Sequence, residues 1–161
     1  MSNNFIADKR KGKIGERAVS DFFIKKGYFV EDVSENKDFQ KLDIDLIVDN
    51  EFIEVKTQNS INKNNKITLE LECNYYEDLF VKGWFAYTEA NIIVFYDKVN
   101  NIAYHIKTDE LRELFEEYKD TFDIYDFDED YKVSTLAYID IDFLKEKSKS
   151  LEIHNYNFLT A

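Results

Sequence analysis

Asp43, Asp45, Glu54 and Lys56 stand close together in the chain, in a pattern able to bind a cation and act on a phosphate. They lie within Leu42–Gln58, where charged and apolar residues alternate with the period of a half-buried strand. Asp49-Asn50 supplies a two-residue loop. The span therefore reads as a hairpin in which Val48 pairs with Glu51, Leu46 with Ile53, Asp45 with Glu54 and Asp43 with Lys56. Alternation puts Asp43, Asp45, Ile47, Phe52, Glu54, Lys56 and Gln58 on one face. It leaves Leu42, Ile44, Leu46, Val48, Ile53 and Val55 on the other, to be buried. Two carboxylates then oppose each other with Cβ atoms roughly 4.5–5.5 Å apart, which destabilises a sheet. A bound divalent cation reverses the sign of that effect.

Magnesium and manganese suit such a place. Magnesium is held by one or two carboxylates, with waters and substrate phosphate completing the shell. Asp45 and Glu54 supply the carboxylates, and the backbone carbonyl of Val55 offers a third oxygen. Lys56, on the same face, can reach a metal-bound water or the scissile phosphate, orienting the nucleophile or offsetting developing charge. Gln58, one step further on, can bond a phosphate or a water.

The elements that must position these residues follow from the pattern around them. Lys9–Lys26 reads as the first helix, capped by Asp8 and stopped by Gly27 after a loose arm at Met1–Ala7. Gly15, Ala18, Val19, Phe22 and Phe23 share its apolar face, with Glu16 at the border, where it needs a partner. Strands are expected at Tyr28–Val33, Ile67–Cys73, Trp84–Tyr87, Ile92–Tyr96, Ile102–Ile106 and Ser134–Ile139. Helices are expected at Tyr75–Val81, Thr108–Tyr118 (capped by Thr108) and Asp140–Lys147. Ser34–Lys41, Asn59–Lys66 and Thr121–Tyr131 read as loops, and the chain from Ser148 as an aromatic tail. Helices and strands mix without regular alternation, so the expected class is α/β or mixed α+β in one domain.

Composition sets the frame. The chain has 161 residues, 44% hydrophobic and 16% aromatic, enough for a proper core. It shows no apolar run of transmembrane length and no signal-peptide pattern, so the expected place is the cytoplasm. The single Cys73 excludes an internal disulfide. With His105 and His154 as the two histidines, it makes no zinc site. The abundance of Asn, Lys, Ile, Tyr and Phe fits an AT-rich genome or a phage.

The net charge of −12 is unevenly spread: residues 1–30 carry +4, while residues 109–142 carry −10. A basic end can face phosphates while an acidic end turns away. Lys9, Arg10, Lys11 and Lys13, with Lys63 and Lys66, are the candidates for nucleic-acid contacts.

The opening helix with Gly15-Glu16, the strand from Tyr28, Asp45-Leu-Ile-Val and Glu54-Val-Lys56 together resemble the PD-(D/E)XK nuclease superfamily. Over Lys11–Gln58 the chain most resembles the archaeal Holliday-junction resolvases and related phage nucleases. The resemblance implies a restriction-endonuclease-like core, a central mixed sheet flanked by helices. It also implies Mg²⁺- or Mn²⁺-dependent cleavage of phosphodiester bonds. Asp45 would be the motif aspartate, Glu54 the second acid, Lys56 the motif lysine and Glu16 the helical acid. Asp43 is the alternative aspartate, and Ile44 stands where the motif has proline. The chain from about residue 83 to 161 is unlike those resolvases and is expected to be an elaboration. The expected function is a DNA endonuclease acting on branched or duplex DNA, for which a homodimer would suit two-strand cutting. The alternative is a non-catalytic binding module of this fold, whose acidic residues 109–142 contact a protein partner or mimic DNA.

Overall fold

The computed structural model describes residues 3–76, 79–129 and 131–158. Its centre is a six-stranded mixed sheet. β1 (Val30–Asp32), β2 (Leu46–Val48) and β3 (Glu51–Thr57) form an antiparallel run. β3 then pairs in parallel with β6 (Ile92–Asp97), which continues antiparallel through β7 (Ile102–Lys107) to β10 (Glu152–Asn155). One face is covered by α1 (Asn3–Lys25). Its Val19, Phe22 and Phe23 bury against Leu46, Val48, Ile53, Val55, Val94 and Ala103. Leu46, Val48, Ile53 and Val55 are the hairpin residues that alternation places there, whereas Leu42, expected with them, is exposed.

The other face of the sheet packs against a second, four-stranded antiparallel sheet and three helices. β4 (Lys66–Tyr75) and β9 (Lys132–Asp140) form the middle of this sheet, with β5 (Leu79–Lys82) and β8 (Asp123–Glu129) at its edges. The helices are α4 (Trp84–Tyr87), α5 (Thr108–Tyr118) and α6 (Ile141–Lys147). Ile67, Leu69, Trp84, Phe85, Ile93, Phe95, Leu111 and Leu144 belong to this larger core. The expected mixed α+β class with a central mixed sheet flanked by helices is what the chain adopts. Among the described residues, no helix is long and apolar enough to cross a membrane.

Several expected elements differ. α1 starts at Asn3, so Asp8 is inside the helix rather than its cap, and the described part of the expected loose arm is helical. The helix does end just before Gly27, whose φ of 90° is the left-handed stop that glycine tolerates. Ser34–Lys41 contains a short helix, α2 (Lys37–Gln40), capped by the Asn36 side chain. Asn59–Lys66 holds α3 (Asn59–Asn64), ended by Asn65 in the left-handed region. Thr108 is the first helical residue of α5, and its hydroxyl makes no capping bond.

The expected helix at Tyr75–Val81 is instead the end of β4 and the strand β5, with residues 77 and 78 outside the described set. The expected strand at Trp84–Tyr87 is the single helical turn α4. A Cβ at Gly83 would stand 2.2 Å from the Glu70 carbonyl oxygen, so the chain enters α4 in close contact with β4. The helical turn buries Trp84 and Phe85 together, which strand alternation would have separated. Thr121–Tyr131 supplies β8, a strand with both faces largely exposed and therefore no apolar alternation to announce it. The aromatic tail supplies β10, so residues beyond 83 complete the central sheet as well as building the second one.

Candidate active site

The hairpin register is Val48–Glu51, Ile47–Phe52 and Leu46–Ile53, turned by Asp49 at φ 50°. The ladder then stops, so the expected pairings of Asp45 with Glu54 and Asp43 with Lys56 are not made. Asp43 takes a φ of 54° and breaks the strand, sending Ile44 into a satellite cluster with Val33 and Ala90, not onto the α1 face. Asp45 thus sits just past the end of the ladder. Its backbone N–H donates to the Ile53 carbonyl (2.9 Å), and its Oδ2 accepts the Val55 N–H (2.9 Å) where a strand partner would otherwise be. In a strand, the N–H and C=O of one residue point the same way. The Val55 carbonyl therefore also faces the Asp45 segment.

Glu54 and Lys56 project from β3 onto the face away from α1. Glu54 is 3% exposed, and its Oε1 lies 2.5 Å from the Lys56 ammonium. Asp43 Oδ2 lies 3.4 Å from the same nitrogen. The ammonium also rests over the Trp84 ring, 4.6 Å from its centroid. Glu54 Oε2 is buried with no hydrogen-bond partner among the described residues.

Two carboxylates thus touch one ammonium, and the charge of Asp45 acts on it as a third. Fully ionised, the group would carry two excess negative charges in a poorly solvated place. The electrostatics follow. Burial pushes the Asp45 carboxyl up to about 6, against the pull of Lys56, with Glu16 and Asp43 adding repulsion. Burial raises Glu54 well above the ordinary glutamate value, again against Lys56, and Asp45 and Asp43 repel it further. Burial disfavours the Lys56 charge, but Glu54, Asp43 and Asp45 outweigh it and hold the ammonium protonated. Tyr87, in α4, feels the same surroundings: burial, then Asp43, moves its hydroxyl up to about 12.

Glu16 comes in from α1. A Cβ at Gly15 would stand 1.8 Å from Thr57 Oγ1, so the helix lies directly on the end of β3 and brings Glu16 with it. Lys13 holds Glu16 at 3.1 Å and also bonds Glu35 (2.7 Å) and the Ser34 hydroxyl (2.9 Å). Glu16 therefore has its own counter-ion, and its charge acts on Asp45.

Of the other residues singled out in the sequence, Gln58 has both ends of its amide bonded to the Thr68 backbone, at 2.6 and 2.9 Å, which ties β3 to β4. Lys13 is engaged as described, and Lys66 lies between Asp123 (3.6 Å) and Asp140 (3.5 Å). Lys9, Arg10 and Lys63 are exposed, and Lys11 is half-buried. Trp84 and Tyr87 were missed. Gly83-Trp84 in a glycine-poor chain was a signal for the first, and nothing in the sequence marked the second.

The donor set fits a cation held by oxygen. Asp45 and Glu54 offer carboxylates, Val55 a carbonyl, and Glu54 Oε2 an open buried oxygen. Among the described residues, no three His, Cys, Asp or Glu side chains gather in a metal-holding group, so water and phosphate would complete the shell. A cleft of about 510 Å³ between β6 and α5, lined by Glu51, Asn91, Lys107 and Arg112, lies elsewhere and does not include these carboxylates.

No protein-family model and no curated protein matches the chain. Among solved structures, that of a bacterial homing endonuclease, I-Ssp6803I, overlaps it at 18% identity over 63% of this chain and 69% of the other, with a TM-score of 0.49. At that level of overlap, the functional reading rests on the side-chain geometry alone.

Proposed function

We propose that the protein is a Mg²⁺- or Mn²⁺-dependent DNA endonuclease of the PD-(D/E)XK type. The observation that carries this reading is the pairing of Asp43 and Glu54 with the single Lys56 ammonium, with Asp45 acting on it electrostatically and one Glu54 oxygen buried and, among the described residues, unpartnered. A divalent cation held by Asp45, Glu54 and the Val55 carbonyl would make up the missing positive charge and supply Lewis acidity toward water and phosphate.

The chain's own groups do the rest. Lys56, kept protonated by its neighbours and set on Trp84, places a fixed positive charge beside the reacting phosphate. Glu16, anchored by Lys13, adds a carboxylate at the border for orienting water. The substrate is duplex or branched DNA, and a two-fold dimer would serve cutting of both strands.

A second reading, a binding module for a basic protein partner, draws on β8. This edge strand is largely exposed and carries Asp123, Asp126, Asp128 and Glu129. The two separate on one assay. Supercoiled plasmid and a four-way junction are incubated with the protein in Mn²⁺. The nuclease reading expects nicking or cleavage that is lost in Lys56→Ala and in chelator. Intact DNA in every form, or cleavage that survives in Lys56→Ala, sinks it.

A further inference from the structure

At the C-terminal end of β3, α1, α3 and the β6–β7 turn come together. Gly15 lets α1 lie on Thr57 and close to the Tyr96 ring. Lys11, one helical turn earlier, is on the same stripe of the helix. The Asn100 side-chain amide donates to Asn62 Oδ1 (3.1 Å), which fastens the turn to α3. Lys63 and Lys98 flank that bond, Lys63 next to Asn62 and Lys98 two residues before Asn100.

Lys11 feels the other two. Burial, together with the positive charges of Lys98 and Lys63, pushes the Lys11 ammonium below the usual lysine value, and Asp8 is the one acid opposing them. Lys63 and Lys98 are exposed, and none of the three makes a salt bridge among the described residues. In a chain with a net charge of −12, three cations brought together by three separate elements are unusual; the carboxylate in the same turn, Asp97, is buried and bonded to the Asn100 amide (2.8 Å). Lys13 and Lys66, from the same basic stretches, are both paired with carboxylates.

Resting on the nuclease reading, we infer that Lys11, Lys63 and Lys98 form one phosphate-binding subsite for the DNA backbone next to the scissile phosphate. α1 lies on Thr57, the residue after Lys56 in β3, so the cluster holds the strand on one side of the cut while Lys56 meets the phosphate being cleaved. Lys98, which no pattern in the sequence marked, is the added member. Charge complementarity selects a polyanion.

The test is equilibrium binding of a fluorescent 30-base-pair duplex to the full chain in chelator, across a salt series. Wild type should bind. Each of Lys11→Ala, Lys63→Ala and Lys98→Ala should weaken binding roughly five- to tenfold at 0.1 M salt and flatten the log–log salt slope by about 0.9. Lys98→Arg should retain both, as should Lys145→Ala on α6. Melting temperatures should hold or rise in the three Ala variants, since a repulsion is relieved. If wild type binds but the triple variant keeps its slope, the subsite is wrong while the nuclease reading stands. If the slope flattens as expected but Mn²⁺ never yields cleavage, the nuclease reading fails and the DNA-gripping subsite stands. A wild type that binds no duplex overturns both.

Discussion

The two faces of the central sheet bury titratable groups to a similar degree and treat them in opposite ways. Under α1, His105 and Tyr156 exchange a hydrogen bond of 3.0 Å among Phe22, Phe23 and His154. Burial, with a smaller push from His154, takes the imidazole down to about 3, and burial moves the phenol upward. Both are neutral, and they satisfy each other. On the opposite face, Asp43 and Glu54 pair with one ammonium under the added charge of Asp45, and a buried Glu54 oxygen has no partner among the described residues. Burial alone therefore does not mark a functional site. The mark is burial combined with a charge imbalance that the chain itself does not correct.

The difference can be broken or sharpened by mutation. The largest effect should fall on Lys56→Ala, which removes the charge nearest the phosphate and should lower cleavage in Mn²⁺ by about 10²–10³-fold. A Lys56→Ala protein that cleaves normally would put both faces in the same structural class. Gly83→Ala should cost roughly 3 kcal/mol in a urea melt, because its Cβ meets the Glu70 carbonyl and pushes Trp84 away from Lys56.

Asp45→Asn should act in the opposite direction. The Asp45 carboxyl rises from 3.8 to about 6 on folding, so its favourable contribution is complete below about pH 4 and is lost as pH climbs through 6. In chelator at pH 7 the variant should be more stable than wild type by about 1–3 kcal/mol, a gain that fades toward pH 4. An unchanged or lower stability would show that Asp45 carries no penalty. Smallest is Tyr156→Phe on the α1 face, expected to cost about 1 kcal/mol and leave cleavage unchanged. There His105 is held below its unfolded value. Its contribution is complete above about pH 6.5 and lost as pH falls toward 3, a slope opposite in sign to that of Asp45 over an overlapping range.

The sequence showed this hairpin clearly because alternation, a two-residue loop and opposed charges all agree there, and the register followed to Leu46–Ile53. It did not show that Asp43 leaves the strand, since a left-handed aspartate has no periodic signature. α5 and α6 were readable from their apolar stripes. β8 was not, being exposed on both sides and held by pairing to β9 alone. α4 was misread because four residues with two adjacent buried aromatics carry too little period to tell a turn of helix from a strand. Trp84 and Tyr87 reach the site only through that turn, and Lys98 reaches Lys11 only through the folding of β6 and β7. Contacts of this kind are tertiary, and no local pattern encodes them.

The charge imbalance is tested most directly by titrating Mn²⁺ into wild type, Glu54→Gln and Tyr156→Phe at pH 7 and following the melting temperature. At a hundredfold excess over the dissociation constant, binding should stabilise wild type by about 2.7 kcal/mol, or roughly 5–10 °C for a chain of this size. Tyr156→Phe should show the same shift and Glu54→Gln none. A wild type indifferent to the cation, or a Glu54→Gln protein that shifts as much as wild type, would contradict the account.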